Sequence, residues 1–305
     1  ISPNPEEPAA LAMAVEKAKE TDAELVMASD PDADRVGAAV KNNEGEWVLL
    51  NGNQTALMFV YYLITRWKEL GKINGKEYIV KTIVTTETIK TIAERNGVEM
   101  YDVYTGFKWI ANVMRENEGK KNYIGGGEES YGFLCEDFVR DKDAVSACVI
   151  LAEIAAWAKD QGLSLYQLLQ KIYVEYGFSK EKGISVVKKG KSGAEEIEAM
   201  MKKFRENPLT EIAGSKVTYF YDYSTLKGKD YAENETVTLD MPTTSNVLQY
   251  FTEDNTKVSI RPSGTEPKIK FYCEVHSKVK SIDELPEAEK AAEEKINQIK
   301  ASLGI

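Results

Sequence analysis

Apolar residues recur at helical spacing over residues 8–19, where Leu11, Val15 and Ala18 share one face. The same period returns over 54–70, 87–96, 107–117, 143–162, 165–176, 194–205 and 285–303. Between these lie short β-branched or aromatic runs, at 25–28, 47–50, 78–84, 100–103 and 123–125, and later at 216–223, 235–239, 247–251, 257–261 and 268–274. Asn51-Gly52-Asn53 reads as a turn, and Asn96-Gly97 as a helix stop. Residues 180–193, rich in Lys, Gly and Ser, read as a connector with some extended structure. In the helix that follows, Ile197, Met200 and Met201 form a packing stripe.

The alternation of strand and helix over 51–176 predicts βαβ units on a parallel sheet, with ligands at the carboxyl ends of its strands. Residues 1–50 are too few for a domain and read as the last part of one; residues 177–305 read as the connector and a smaller α+β domain. The chain has 305 residues, 43% apolar and 29% charged, enough to build two or three cores. Its net charge of -10 argues against nucleic acid or an anionic membrane as partner, since both need clustered Lys and Arg. No apolar stretch approaches the roughly 18 residues of a membrane span. Cys135, Cys148 and Cys273 are scattered without a CxxC spacing, which suggests neither disulfides nor zinc and fits a reducing, cytoplasmic setting. The chain opens on Ile1 in a Pro-rich loop, which suggests that its true N-terminus is missing.

The chemistry begins where the run Leu25-Val26-Met27-Ala28 ends in Asp30, Asp32 and Asp34, followed at once by Arg35. Three carboxylates so close repel one another unless a hard cation lies between them, and Mg²⁺ favours a few carboxylates plus a phosphate oxygen. An acidic surface turn is the plain alternative. An EF-hand loop fails, because it needs Gly and Glu where this chain has Arg35 and Lys41. An aspartyl-phosphate phosphatase with Asp30 as nucleophile remains open, although Asp34 stands where such enzymes carry Thr or Val.

Three further loops carry polar groups suited to a sugar phosphate. Gly127-Glu128-Glu129-Ser130 follows a strand and offers carboxylates and a hydroxyl to sugar hydroxyls, against the alternative of a flexible turn. Arg261, Ser263, Gly264 and Thr265 lie between two strands and can surround a phosphate, against the alternative of a hairpin turn. Thr105-Gly106-Phe107-Lys108 opens a helix, where the N-terminus favours anions, although a lone lysine there is usually solvated.

These four motifs, taken in their order along the chain, resemble the α-D-phosphohexomutases, and the Glu128-Glu129-Ser130 loop is most similar to the phosphoglucomutase and phosphomannomutase branch. The resemblance implies an α/β fold of mixed or parallel sheets with a last α+β domain like the TATA-binding protein. It makes Asp30, Asp32 and Asp34 Mg²⁺ ligands, Arg35 a stabiliser of the transferring phosphoryl group, and Lys108 a general acid or base. Thr105, Gly106, Glu128, Glu129 and Ser130 then bind the sugar, while Arg261, Ser263, Gly264 and Thr265 hold the non-reacting phosphate. Glucose 1,6-bisphosphate or its mannose analogue serves as intermediate and activator, made by a phosphoserine in an Ala/Thr-Ser-His-Asn-Pro stretch. No such stretch occurs here: the single histidine lies in Val275-His276-Ser277-Lys278. The expectation is therefore a fragment without the phosphoserine domain, inactive alone and weak in Mg²⁺ binding. A non-catalytic sugar-phosphate-binding module and a pentose phosphate substrate are the alternatives.

Overall fold

The computed structural model describes residues 2–188, 190–264 and 266–305, with Lys191 as backbone only. The chain divides into two compact units, one ending at Gly177 and one running from Phe178 to Ile305.

In the first unit, helix α1 (Pro8–Glu20) lays Leu11 and Ala18 against Val26 and Ala39 of a three-stranded sheet. That sheet is antiparallel, ordered β1 (Leu25–Ser29), β2 (Val36–Lys41), β3 (Trp47–Leu50). β2 has no counterpart among the strands read from sequence. Asn51 is not a turn residue but the N-cap of α2 (Gly52–Glu69): its side chain accepts from the Gln54 backbone, and Gln54 returns the bond. A second sheet, ordered β5-β4-β6-β7, follows from β4 (Glu77–Thr82), β5 (Glu99–Val103), β6 (Asn122–Gly127) and β7 (Phe133–Cys135). Its first three strands are parallel, and β7 is antiparallel to β6. Helices α3 (Thr88–Arg95) and α4 (Phe107–Asn117) make the crossovers, and α5 (Ala144–Asp160) and α6 (Leu165–Tyr176) close the unit. The core on one side gathers Tyr78, Val80, Val103, Phe107, Ile110 and Leu134.

The second unit is one antiparallel sheet, ordered β12-β11-β10-β13-β14-β15-β8, with short β9 (Glu211–Ile212) paired to β10. The strands are β8 (Phe178–Val187), β10 (Ser215–Asp222), β11 (Lys227–Asp230), β12 (Glu235–Thr238), β13 (Leu248–Thr252), β14 (Lys257–Pro262) and β15 (Lys268–Ser277). Helices α7 (Gly190–Glu206) and α8 (Leu285–Leu303) complete it. The stretch expected to be a connector is therefore mostly the edge strand β8 and the first turn of α7. Lys, Gly and Ser are poor strand formers in general, but an edge strand tolerates and benefits from them, because charge there blocks pairing with other chains. The three cysteines are free. No helix among the described residues is long and apolar enough to cross a membrane.

Candidate functional site

The three aspartates lie in the tight loop between β1 and β2. Ala33 takes a left-handed φ of 58° and donates its N–H to the Asp30 carbonyl at 3.0 Å. This folds the loop back so that Asp30 Oδ1 accepts from the N–H groups of Asp34 (3.0 Å) and Arg35 (2.9 Å). One ligand oxygen from each of Asp30, Asp32 and Asp34 then falls within 4.8 Å of the others. Burial works against ionisation of Asp30, but the two backbone N–H groups outweigh it and hold its carboxyl below the ordinary value. Asp34 Oδ1 is buried without a hydrogen-bond partner. An orphaned carboxylate oxygen within an all-oxygen donor set suits a hard divalent cation, so the residues fit Mg²⁺.

The aspartate loop is joined to the Glu-Glu-Ser loop. Arg35 forms an antiparallel bridge with Gly132, and the Val36 N–H donates to the Tyr131 carbonyl at 3.1 Å. Arg35 itself is 39% exposed, with Nε 3.9 Å from Asp30 and 3.7 Å from Asp34.

Glu128, at the carboxyl end of β6, is buried, and its Oε1 accepts the Gly106 N–H at 2.7 Å. The Thr105-Gly106 turn at the end of β5 is thereby brought to the Glu128 loop. Glu129 behaves differently from its expected role as a sugar ligand. It is turned toward the end of β4, where the Thr82 and Thr85 hydroxyls donate to its Oε2 at 3.1 and 3.4 Å, so it braces the loop from within. Gly127 lies inside the strand, not in a ligand-facing turn; a Cβ there would stand 2.6 Å from the Gly132 carbonyl oxygen. Beneath the loop, the N-terminus of α2 meets its backbone directly, since a Cβ on Gly52 would stand 2.0 Å from the Glu129 carbonyl oxygen and 2.7 Å from the Tyr131 nitrogen.

Lys108 lies exposed at the start of α4, with Nζ 5.1 Å from the centre of the Trp109 ring. Among the described residues, the lysine that contacts the aspartates is Lys142, whose Nζ lies 2.6 Å from Asp34 Oδ2. Burial disfavours its charge, but Asp34 and Asp141 more than compensate and raise its pKa. Nothing in the sequence marks Lys142. It stands in a charged, aperiodic stretch far along the chain from Asp34, and only the fold makes them neighbours.

In the second unit, Arg261 is the last residue but one of β14, in register with Lys270. The loop after it is closed by the Ser263 N–H donating to the Lys268 carbonyl at 2.7 Å, and the Glu266 N–H donates to Ser263 Oγ at 3.3 Å. Lys268 Nζ lies 2.7 Å from Glu266. Gly264 is in open space, and Thr265 lies outside the described residues.

The parallel sheet, the acidic strand-end loop and the antiparallel last domain together define a phosphohexomutase-like α/β protein. Three models of one family match in order: "Phosphoglucomutase/phosphomannomutase, alpha/beta/alpha domain II" over residues 1–45, "alpha/beta/alpha domain III" over 51–176, and "C-terminal domain" over 185–292. The chain belongs to the phosphoglucomutase/phosphomannomutase family. It is 38% identical over 271 residues to a phosphoglucomutase of Staphylococcus aureus strain MRSA252, covering 89% of this chain and 48% of that one. A phosphoglucomutase of Staphylococcus haemolyticus strain JCSC1435 is 34% identical over 275 residues, covering 90% and 49%. The chain thus spans about half the length of these relatives. A crystal structure of a phosphoglucomutase/phosphomannomutase family protein from Burkholderia thailandensis shares the fold with a TM-score of 0.62 at 19% identity, covering 99% of this chain and 52% of that one.

Proposed function

We propose that this chain carries the cation-, sugar- and phosphate-binding parts of an intramolecular phosphotransferase that interconverts hexose 1-phosphate and hexose 6-phosphate, of glucose or mannose. The observation that carries this reading is the seam where Arg35 pairs with Gly132, because it sets the aspartate cluster beside the Glu128–Ser130 loop. Asp30, Asp32 and Asp34 would hold Mg²⁺, which when bound neutralises charge on a phosphoryl group in transit. Arg35, half exposed beside two of them, is placed to meet the same charge. Glu128 and Ser130 receive sugar hydroxyls, with the Thr105-Gly106 turn held against Glu128. Lys108 at the head of α4 is the proposed proton carrier. Arg261, Ser263, Gly264 and Thr265 grip the phosphate that is not reacting, with glucose 1,6-bisphosphate or its mannose analogue as the intermediate.

The 305 residues contain one histidine and no Ser-His-Asn-Pro run. His276 is a structural residue of β15, 2.7 Å from Glu274. We therefore propose that the phosphoserine of this chemistry is not among these residues. In a coupled assay with glucose 1-phosphate, a trace of glucose 1,6-bisphosphate and Mg²⁺, the chain by itself is expected to give no turnover. Turnover would instead point to a nucleophile within the chain, with Asp30 first.

Binding separates the family reading from a mere likeness of fold. Arg261→Ala should weaken glucose 6-phosphate about tenfold or more by calorimetry, in keeping with the roughly 1.5–3 kcal/mol of a charged hydrogen bond. An unchanged affinity would remove Arg261 from the phosphate loop.

A further inference from the structure

Lys142 reaches the aspartate cluster by a constrained path. It precedes α5, whose N-cap Asp143 accepts from the N–H groups of Val145 (3.3 Å) and Ser146 (2.9 Å), and the Ala144 N–H donates to the Ala33 carbonyl at 3.0 Å. The backbone immediately after Lys142 is therefore tied both to its helix and to the aspartate loop. Its aliphatic stem crosses Gly132, with Cδ only 2.5 Å from where a Cβ on that glycine would stand. The stem thus lies over the seam between the aspartate loop and the sugar loop, and its head group ends 2.6 Å from Asp34 Oδ2, with 15% of the side chain exposed. Arg35 approaches the same carboxylate no closer than 3.7 Å, so the bonded cation at Asp34 is the lysine.

We propose that Lys142 is an internal counter-ion that competes with the divalent cation for Asp34, and that cation binding releases its ammonium group toward the sugar-phosphate side of the seam. This rests on the reading of Asp30, Asp32 and Asp34 as cation ligands. A dication bound to Asp34 repels an ammonium held on the same carboxylate, and the electrostatic gain of the Lys142 pair is lost as the cation enters. The stem over Gly132 and the Asp141 carboxylate, whose Oδ1 lies 3.3 Å from the same Nζ, keep the released head group at the seam, where anionic oxygens of a sugar phosphate would receive it. Cation affinity and lysine position are then two readings of one equilibrium, as linkage requires.

The test is titration of this chain with Mn²⁺, followed by loss of the free-ion paramagnetic signal, on the parent and on Lys142→Met, Lys142→Arg and Asp32→Asn. Methionine keeps the length of the stem without its charge and should tighten Mn²⁺ binding by about tenfold or more. Arginine keeps the charge and should stay within a few-fold of the parent. A second readout is the acylation rate of Lys142, followed by mass spectrometry, which should rise when Mg²⁺ is added. Binding that Asp32→Asn removes but Lys142→Met leaves unchanged or weaker overturns the competition while sparing the cation site. Binding that is undetectable throughout, or indifferent to Asp32→Asn, overturns the cation site and the competition with it. An acylation rate that Mg²⁺ leaves unchanged or lowers overturns the release step.

Discussion

Gly52→Ala is expected to lower the stability of the first unit by about 3 kcal/mol and to abolish hexose-phosphate binding along with it. The added methyl would stand 2.0 Å from the Glu129 carbonyl oxygen and 2.7 Å from both the Glu129 carbonyl carbon and the Tyr131 nitrogen. All three are main-chain atoms, which no rotamer change can move. The helix cannot retreat either. Asn51 and Gln54 cap it reciprocally, and Thr55 to Ile64 are buried without a break. The strain must therefore fall on the Glu128–Tyr131 loop, whose Gly132 end also holds Arg35. Urea unfolding at constant slope, paired with glucose 6-phosphate calorimetry, reads both effects. Gly183→Ala is the matched control, since nothing lies within 4 Å of its Cβ position, and it should be nearly neutral. A Gly52→Ala chain as stable as the parent would show that the loop is seated in some other way.

The second large effect concerns the buried charges of the antiparallel sheet. Lys257 Nζ lies 3.0 Å from Glu274 Oε2, with the two side chains 2% and 3% exposed, and His276 Nε2 lies 2.7 Å from Glu274 Oε1. Glu274 stands opposite Lys257 on β14 and Glu181 on β8, so one carboxylate serves a lysine and a histidine on one face. Removing it with Glu274→Ala should cost about 3–5 kcal/mol, the usual penalty for breaking a buried pair from one side.

The same cluster gives the stability a pH dependence. Burial opposes the imidazolium of His276, but Glu274, aided by Glu181, overrides this and raises its pKa above the ordinary 6.5. The folded chain then holds that proton more tightly than the unfolded one. The His276 contribution is complete below about pH 6.5 and is lost as pH rises through the raised value. Urea midpoints taken from about pH 5.5 upward should fall across that interval in the parent and not in Glu274→Gln. A parent midpoint that rises with pH there would contradict the pairing.

Much of the first unit was legible because its elements are long and obey one period. α4 (Phe107–Asn117) and α6 (Leu165–Tyr176) start and end where the apolar pattern does. β2 was not, because Gly37, Ala38 and Ala39 are poor strand formers, and it is burial between β1 and β3 that makes small side chains the right ones there. β7 is three residues long and carries no period at all.

At the site, the aspartate cluster was visible because its residues are two apart in sequence, so local geometry alone brings them together. Glu129 shows the limit of such reading. Its neighbours Glu128 and Ser130 share its loop, yet its carboxylate is engaged by Thr82 at the end of β4 and by Thr85 in the turn after it, more than forty residues earlier. Lys142 shows it from the other side, as a residue with no motif that the fold delivers to Asp34.

The contact between α2 and the loop above it bears on how this scaffold could change its ligand. Gly52 meets the main chain of Glu129 and Tyr131 and not their side chains, while Glu129 braces the loop from β4. On the proposed reading of this loop, foundation and recognition are therefore carried by different atoms of the same segment. Replacement of the side chain at position 130 leaves that foundation untouched, so new hydroxyl patterns could be explored by single substitutions without the fold being renegotiated each time.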